Sequence, residues 1–394
     1  VAKRGIVVIV SVQGIQLTPD DLRPIEADLL GQTNGCAAVW CGRAGTALYW
    51  TYRLAMARRP EVERPEIIMP AMMCATPANA GLLAGATLRF ADNDPTTGLA
   101  TLATIQARAS ENTVAVVIVH LLGHSVNVAP IAAWCRQKNI LLIEDAAQAQ
   151  GARLPDESPV GSHGDVVAYS FNSTKILESG GGALVVNNPE CVEPLERLLR
   201  DEPLPPEPPT DTLAQLGLSY RNLHHSLAGL LRMGTIHPAD VSPLFLRVQS
   251  SYDALLLRPA HSFNRLVADW PTLPERLARR YQRAEQYAEA LAGGPWRLLD
   301  GWRSSGVCWR FSLLLDEPAH VVSLSDKVRK DGFHVSNLYW PAHQFFNPAD
   351  ACPGADHFGA RVVNLWVDDS VNEGWIERCC ASAWYNAESL ALSN

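Results

Sequence analysis

Between Ile67 and Asn187 short apolar runs alternate with segments of helical length and pattern. That rhythm belongs to parallel strands joined by crossover helices, because a parallel pair needs a connection long enough to carry the chain back across the sheet. Candidate strands are Ile67 to Met69, Thr87 to Ala91, Val114 to His120, Ile140 to Glu144, Val166 to Ser170 and Ala183 to Val186. Several are apolar throughout, as strands covered on both faces should be. Pro77 to Ala84, Leu99 to Ala109 and Val128 to Lys138 are the predicted helices between them. The fold class is α/β, with a mostly parallel central sheet flanked by helices.

Beyond that region the pattern changes. Pro203 to Pro209, reading PLPPEPP, cannot continue the helix predicted over Pro189 to Arg200, since proline lacks an amide donor and clashes with the preceding turn. A long helical stretch over Leu273 to Leu291 follows, and from Trp296 short strands such as Val307 to Leu315 and Arg361 to Trp366 take over. The expected organisation is a large α/β domain over residues 1–245 and a smaller carboxyl-terminal α+β domain over 246–394, within the two to three domains that 394 residues suggest.

Composition narrows the partners. Lys plus Arg number 33 against 41 Asp plus Glu, a net charge of -8 with no basic run, so no nucleic-acid partner is expected. Apolar stretches such as Ile6 to Val10 are far below the roughly 20 residues that span a bilayer, and no signal peptide is recognisable. The expected location is the cytoplasm. Nine cysteines lie scattered without CxxC spacing, which suggests neither a disulfide framework nor a metal site. An amphipathic helix burying one of Cys379 and Cys380 accounts for that pair better than a bond between neighbours.

Ligands bind at the carboxyl ends of strands in open α/β proteins. There the sequence puts Glu144 and Asp145, in EDAAQAQGA, with Gln148 one helical turn on; the next strand ends at Ser170, Lys175 follows within five residues, and Gly180 to Gly182 introduce another strand. A carboxylate and a nearby lysine are what pyridoxal phosphate needs: an amine to condense with its aldehyde and an acid to keep its ring nitrogen protonated. Taken singly, an Asp at a strand end is a cap or turn residue and a loop Lys a solvated charge. Gly42 and Arg43 open a helix whose amino terminus suits phosphate, or is simply a glycine-initiated helix. His120 reads as a hydrogen-bonded structural histidine.

Taken together, EDAAQAQGA and VGSHGDVVAYSFNSTKILESGGGALVV resemble the DegT/DnrJ/EryC1/StrS family of pyridoxal phosphate aminotransferases, many of which aminate nucleotide-linked keto sugars. The likeness runs back through PAMMCATPANAGLLAGATLRFAD and CGRAGTALY and forward, more weakly, through KVRKDGFHVSNLYWP. It implies fold type I and a homodimer with shared active sites. By the same likeness Lys175 is the cofactor-binding lysine and acid/base, Asp145 the ring-nitrogen partner, Gln148 a neighbour of the ring's phenolic oxygen, and Ser170 with the Arg43 and Ala44 amides the phosphate ligands.

Two positions depart from that pattern. Cys74 stands where many members stack an aromatic on the cofactor ring, and Ser219, in GLSYR, stands where they carry an asparagine that reaches the neighbouring subunit's phosphate. Lys175 itself favours transamination over the dehydratases, in which histidine replaces the lysine. The expected activity moves an amino group from an amino acid, L-glutamate by resemblance, to a keto group on a sugar or cyclitol, nucleotide-linked in the family's manner. Dehydration, amination of a non-sugar ketone, and a regulatory protein that binds the cofactor without turnover are the alternatives. The proline loop, Tyr220 to His225, and Tyr339 to His343 with Trp340 and Phe345 are candidate contributors to the acceptor pocket.

Overall fold

The computed structural model describes residues 7–9, 19–202, 204, 209–232, 236–237, 240, 242, 257–258, 263–337 and 340–391. An eight-stranded sheet runs in the order β1 (Val7–Ile9), β2 (Ala37–Cys41), β8 (Gly182–Val186), β7 (Val166–Ser170), β6 (Leu141–Asp145), β5 (Thr113–Val119), β3 (Glu66–Pro70) and β4 (Thr87–Ala91). All seven residues of β5 are buried, as a strand covered on both faces requires. The strands predicted between Ile67 and Asn187 are recovered to within about a residue, whereas the one predicted over Val307 to Leu315 starts only at Phe311. Two strands, β1 and β2, lie ahead of the predicted run and were not anticipated.

Among these strands β8 alone runs antiparallel, pairing with β2 on one side and β7 on the other. The connection from β7 to β8 therefore need not cross the sheet, and residues 171–181 stay at the carboxyl end of β7. Register then aligns Cys41, Gly182 and Ser170 in one row across three strands. Asp145 pairs with Ala168 on β7, so Ser170 lies two residues, roughly 7 Å, further along the sheet.

Helices α1 (Pro19–Thr33), α2 (Ala44–Ala57), α3 (Ala75–Ala84), α4 (Leu102–Gln106), α5 (Ala129–Lys138), α6 (Val192–Asp201) and α7 (Thr210–Arg232) occupy the amino-terminal half. The helix predicted over Leu99 to Ala109 is shorter because Thr101 and Thr104 form a reciprocal capping box that fixes its start. Of the proline loop only Leu204 and Pro209 fall among the described residues. The expected domain boundary near 245 also lies outside them. His224 and His225 lie inside α7.

A four-stranded antiparallel sheet is built from β9 (Trp296–Leu299), β10 (Phe311–Leu315), β11 (Val335–Asn337) and β12 (Val362–Leu365), in the order β11, β12, β10, β9. Its core is separate, with Tyr287 stacked on Phe311 at 5.2 Å. The helix Glu373–Ala391 packs against both the helix Leu273–Ala290 and the helix Pro318–Lys330, so it buries Cys379 and Cys380 together rather than one of them. Among the described residues no helix is long and apolar enough to cross a membrane.

Two glycines make the β8 row. Gly181 has φ of +87°, and a Cβ there would meet the Phe263 ring at 2.3 Å. A Cβ on Gly182 would stand 2.5 Å from the Ala44 nitrogen and 2.7 Å from the Arg43 carbonyl carbon, both backbone atoms that cannot swing aside. Gly182→Ala should therefore lower unfolding free energy by about 1–3 kcal/mol in urea titrations; an unchanged midpoint would show that this approach is not required.

Candidate functional site

The carboxyl end of β6 carries two adjacent carboxylates with different tasks. Glu144 is fully buried and its two oxygens accept four hydrogen bonds: Oε2 from His120 Nε2 (3.0 Å) and Gly161 N–H (2.8 Å), Oε1 from His163 N–H (3.0 Å) and Gly164 N–H (2.6 Å). His120 Nδ1 accepts the Val126 N–H at 3.2 Å, so the ring's proton lies on Nε2, facing Glu144. Burial pushes the Glu144 carboxyl up, but the His120 hydrogen bond and the Gly161 and Gly164 amides outweigh it and hold it below the ordinary carboxylate range. Glu144 is saturated, and His120 is its structural partner.

Asp145 points to the other environment. It is 6% exposed and accepts only the Ala147 N–H, on Oδ1 at 2.9 Å, leaving Oδ2 without a hydrogen bond to any described residue. Burial raises its carboxyl above the ordinary range, against the Ala147 amide, the Lys175 ammonium and His120, which pull it down. A buried acid with a vacant oxygen fits a cationic N–H donor, such as a protonated ring nitrogen. The chain after Asp145 forms a turn in place of the expected helical turn, and Gln148 Oε1 accepts the Leu122 N–H at 2.7 Å. Its amide nitrogen is thereby oriented as a donor, the polarity a phenolic oxygen needs.

An anion site lies at the same edge. Arg43 caps α2 in extended conformation with no side-chain cap, and its carbonyl takes the Thr46 and Ala47 amides at 3.1 and 3.3 Å. The Ala44 and Gly45 amides bond to no described residue and are left for an anion at the helix's positive end. Ser170 is buried one register step away with its hydroxyl unbonded to described residues. Burial lowers the Arg43 guanidinium, and the nearby Arg258 cation lowers it further. Residue 258 straps the loop: Gly42 N–H donates to its carbonyl at 3.0 Å, and its own N–H donates to Thr46 Oγ1 at 2.8 Å. Sequence reasoning missed Arg258, since nothing local marks a contact across that separation.

Lys175 follows β7 at the same edge and lies near enough to Asp145 to act on its charge. The residue before it, Thr174, has φ of +71°, an outlier for a β-branched residue. Its N–H donates to Glu178 Oε1 at 2.9 Å and its carbonyl accepts Trp309 Nε1–H at 2.7 Å, so the strained turn is held from both ends. Lys175 Nζ lies 5.5 Å from the Trp309 ring centre, on its face. No ion pair holds this ammonium among the described residues. Trp309 was also not anticipated.

Cys74 is exposed at the cap of α3, within electrostatic reach of Arg43 and of the buried Tyr52 hydroxyl. Ser219 is exposed on α7 and is not brought to Lys175; its neighbour Tyr220 lies close enough to Arg43 to act on its charge. The Ala342 N–H donates to the Ala71 carbonyl at 2.7 Å, which seats the Trp340 to His343 segment beside the loop carrying Cys74, while Tyr339 lies outside the described residues.

A lysine near a buried acid at the carboxyl edge of a mixed sheet, with a smaller α+β sheet beside it, is the architecture of the fold type I pyridoxal phosphate-dependent transferases. The model of the DegT/DnrJ/EryC1/StrS aminotransferase family matches residues 28–222 of the chain. The chain is 34% identical over 169 residues to the GDP-perosamine synthase of Caulobacter vibrioides, covering 43% of this chain and 44% of that protein. The match thus spans less than half of that relative. To the UDP-N-acetyl-3-dehydro-alpha-D-glucosamine 3-aminotranferase of Acidithiobacillus ferrooxidans it is 28% identical over 366 residues, 90% of this chain and 86% of the other. The fold matches that of PseC from Helicobacter pylori, an aminotransferase involved in the biosynthesis of pseudoaminic acid, with a TM-score of 0.71 at 18% identity over 95% of this chain and 92% of that one.

Glu144→Gln turns an amide NH2 toward two hydrogen-bond donors whichever way it is placed. It should cost about 1–3 kcal/mol per donor left unanswered, read by urea unfolding at pH 7. Folded Glu144 binds its proton less readily than unfolded Glu144, so its contribution is full above the ordinary carboxylate range and is lost as pH falls through the lowered folded value. The gap between wild type and variant should narrow on acidification; a gap that widens contradicts the charge assignment.

Proposed function

We propose that the chain transfers an amino group from an amino acid, L-glutamate in the first instance, to a keto group on a sugar or cyclitol, with nucleotide-linked keto sugars as the leading acceptors. The observation that carries this reading is Lys175 set beside a buried carboxylate with a vacant oxygen and a helix-terminal anion site on the same strand ends. The family relatives support the acceptor class: the Caulobacter protein bears the name of a GDP-sugar enzyme and the Acidithiobacillus protein that of a UDP-sugar aminotransferase.

Bound pyridoxal phosphate supplies an aldehyde for the amine and a ring that takes up electrons when a proton leaves the donor's carbon. In our reading Asp145 Oδ2 would take the ring nitrogen's proton in a hydrogen bond, the Gln148 amide would donate to the phenolic oxygen, and Ser170 with the Arg43 and Ala44 amides would hold the phosphate. Lys175 Nζ would hold the cofactor at rest and, with its amine free, would move a proton between the donor's Cα and the cofactor carbon in the first half of the cycle and between that carbon and the acceptor-derived carbon in the second. Cys74 offers a small polarizable face to the ring where an aromatic would offer a larger one.

We read the working form as a homodimer in which Ser219 faces the partner subunit's phosphate site; the 53% exposure of neighbouring Leu218 supports a covered surface there. We also read the chain as two domains, 1–245 and 246–394, with the segment from Phe263 to Leu273 packing back on the larger core as their connection. Nine free thiols support the cytoplasm as its compartment.

Borohydride treatment of the cofactor-loaded protein should fix a pyridoxyl label on Lys175, located by peptide mass. L-Glutamate should convert the bound cofactor to its amine form, and Lys175→Ala should slow that half-reaction by about 10²–10⁴-fold. A label on another lysine overturns the site. Loss of conversion with every amino donor favours the regulatory alternative.

A further inference from the structure

A cavity of about 420 Å³ opens beside Lys175, between the lysine loop and the smaller sheet, lined by Lys175, Arg276, Arg280, Trp366, Asp368 and Asp369 among others. Its charges are unevenly paired. Asp369 is held by Arg276 (2.9 Å), Arg279 (3.3 Å) and Arg283 (3.5 Å), and Asp368 by Arg310 (3.5 Å). Arg280 is 4% exposed, yet no carboxylate among the described residues lies within ion-pair distance of it. Its Nη1 donates to the Trp309 carbonyl at 3.1 Å, an oxygen it shares with Arg310 Nη1 at 3.0 Å.

Arg310 is fixed independently. Its guanidinium carbon lies 4.5 Å from the Trp309 ring centre and 4.2 Å from that of Trp366, and the residue is 1% exposed. Two buried cations therefore face one carbonyl; Asp368 pairs with Arg310 at 3.5 Å, while Asp368 and Asp369 act on Arg280 only by charge from beyond ion-pair distance. Burial, and after it the Arg310 charge, pull the Arg280 guanidinium down to about 10. A buried cation short of a counterion is costly, and an incoming anion recovers that cost.

With Nη1 committed, Arg280 retains Nε and Nη2, the parallel pair of donors that matches a planar carboxylate. Trp309 sets the distance to the chemistry: its carbonyl holds Arg280 while its ring faces Lys175 Nζ. We propose that Arg280 binds a carboxylate of the amino donor, through Nε and Nη2, in the cavity it shares with Lys175. This rests on the aminotransferase reading above and names the residue that selects an amino acid as donor. The cavity's size suits an amino acid, whereas a nucleotide-linked sugar needs room beyond it.

The test uses glutarate, which has the carboxylates of the donor and no amine, titrated calorimetrically into the purified chain with and without cofactor. Wild type should bind it, Arg280→Gln should weaken it about 30-fold or more, and Arg280→Lys, which keeps the charge but not the fork, should fall between. The half-saturating concentration of L-glutamate in the half-reaction should rise in step, while the rate with L-alaninamide, which lacks a carboxylate, should hold. Three results overturn the proposal: a folded Arg280→Gln that binds glutarate as wild type does; equal losses with L-glutamate and L-alaninamide, the mark of a structural role through Trp309; or Arg280-dependent binding of UDP in place of glutarate. Arg280-dependent glutarate binding in a protein that no amino donor converts supports the site and overturns the aminotransferase reading alone.

Discussion

The arrangement of this site depends on a carboxylate that never needs to touch a ligand. Glu144 gathers the His120 ring from the end of β5 and three amides from residues 161–164, the segment that leads into β7. Three neighbouring strand ends are thereby tied to one buried charge, and its neighbour Asp145 inherits a fixed position with an unsatisfied oxygen. The same sheet thus holds one acid fully ionised by its donors and another lifted by burial, two environments separated by a single peptide bond. Burying Glu144 costs several kcal/mol in principle, and the geometry that offsets this cost also leaves β5, β6 and β7 little freedom to slide.

A chain of net charge -8 holds anions by local means. At one end of the site two arginines, 43 and 258, and the free amides of α2 concentrate positive potential around the β8 row. On the other side five arginines, 276, 279, 280, 283 and 310, stand around Asp368 and Asp369. Low-dielectric walls sharpen such fields, so the overall sign of the protein says little about what its clefts attract.

Much of the sheet was legible because buried strands announce themselves as apolar runs, and Val166–Ser170 and Thr113–Val119 fall where those runs do. Their direction was not: GALVV reads the same whether it runs with or against its neighbours, yet the reversal of β8 is what keeps Lys175 at the ligand edge. Asp145, Gln148, Ser170 and Lys175 were visible because strand ends and the loop between them are local features. Arg258, Trp309 and Arg280 were not, because each acts through contacts with residues far along the chain, such as the 135 positions between Thr174 and Trp309. The turn at Thr174 carries no glycine to betray its positive φ.

Trp309 touches the lysine loop twice, through its ring and through its indole N–H, and its own backbone begins the approach to β10. The ring face that dries one side of Lys175 is therefore carried by the smaller sheet rather than the larger one. Any rotation of one sheet away from the other strips that cover from the amine and admits water beside it. Opening of the cleft and uncovering of this face of Lys175 are a single event in this architecture, so closure and cover arrive together.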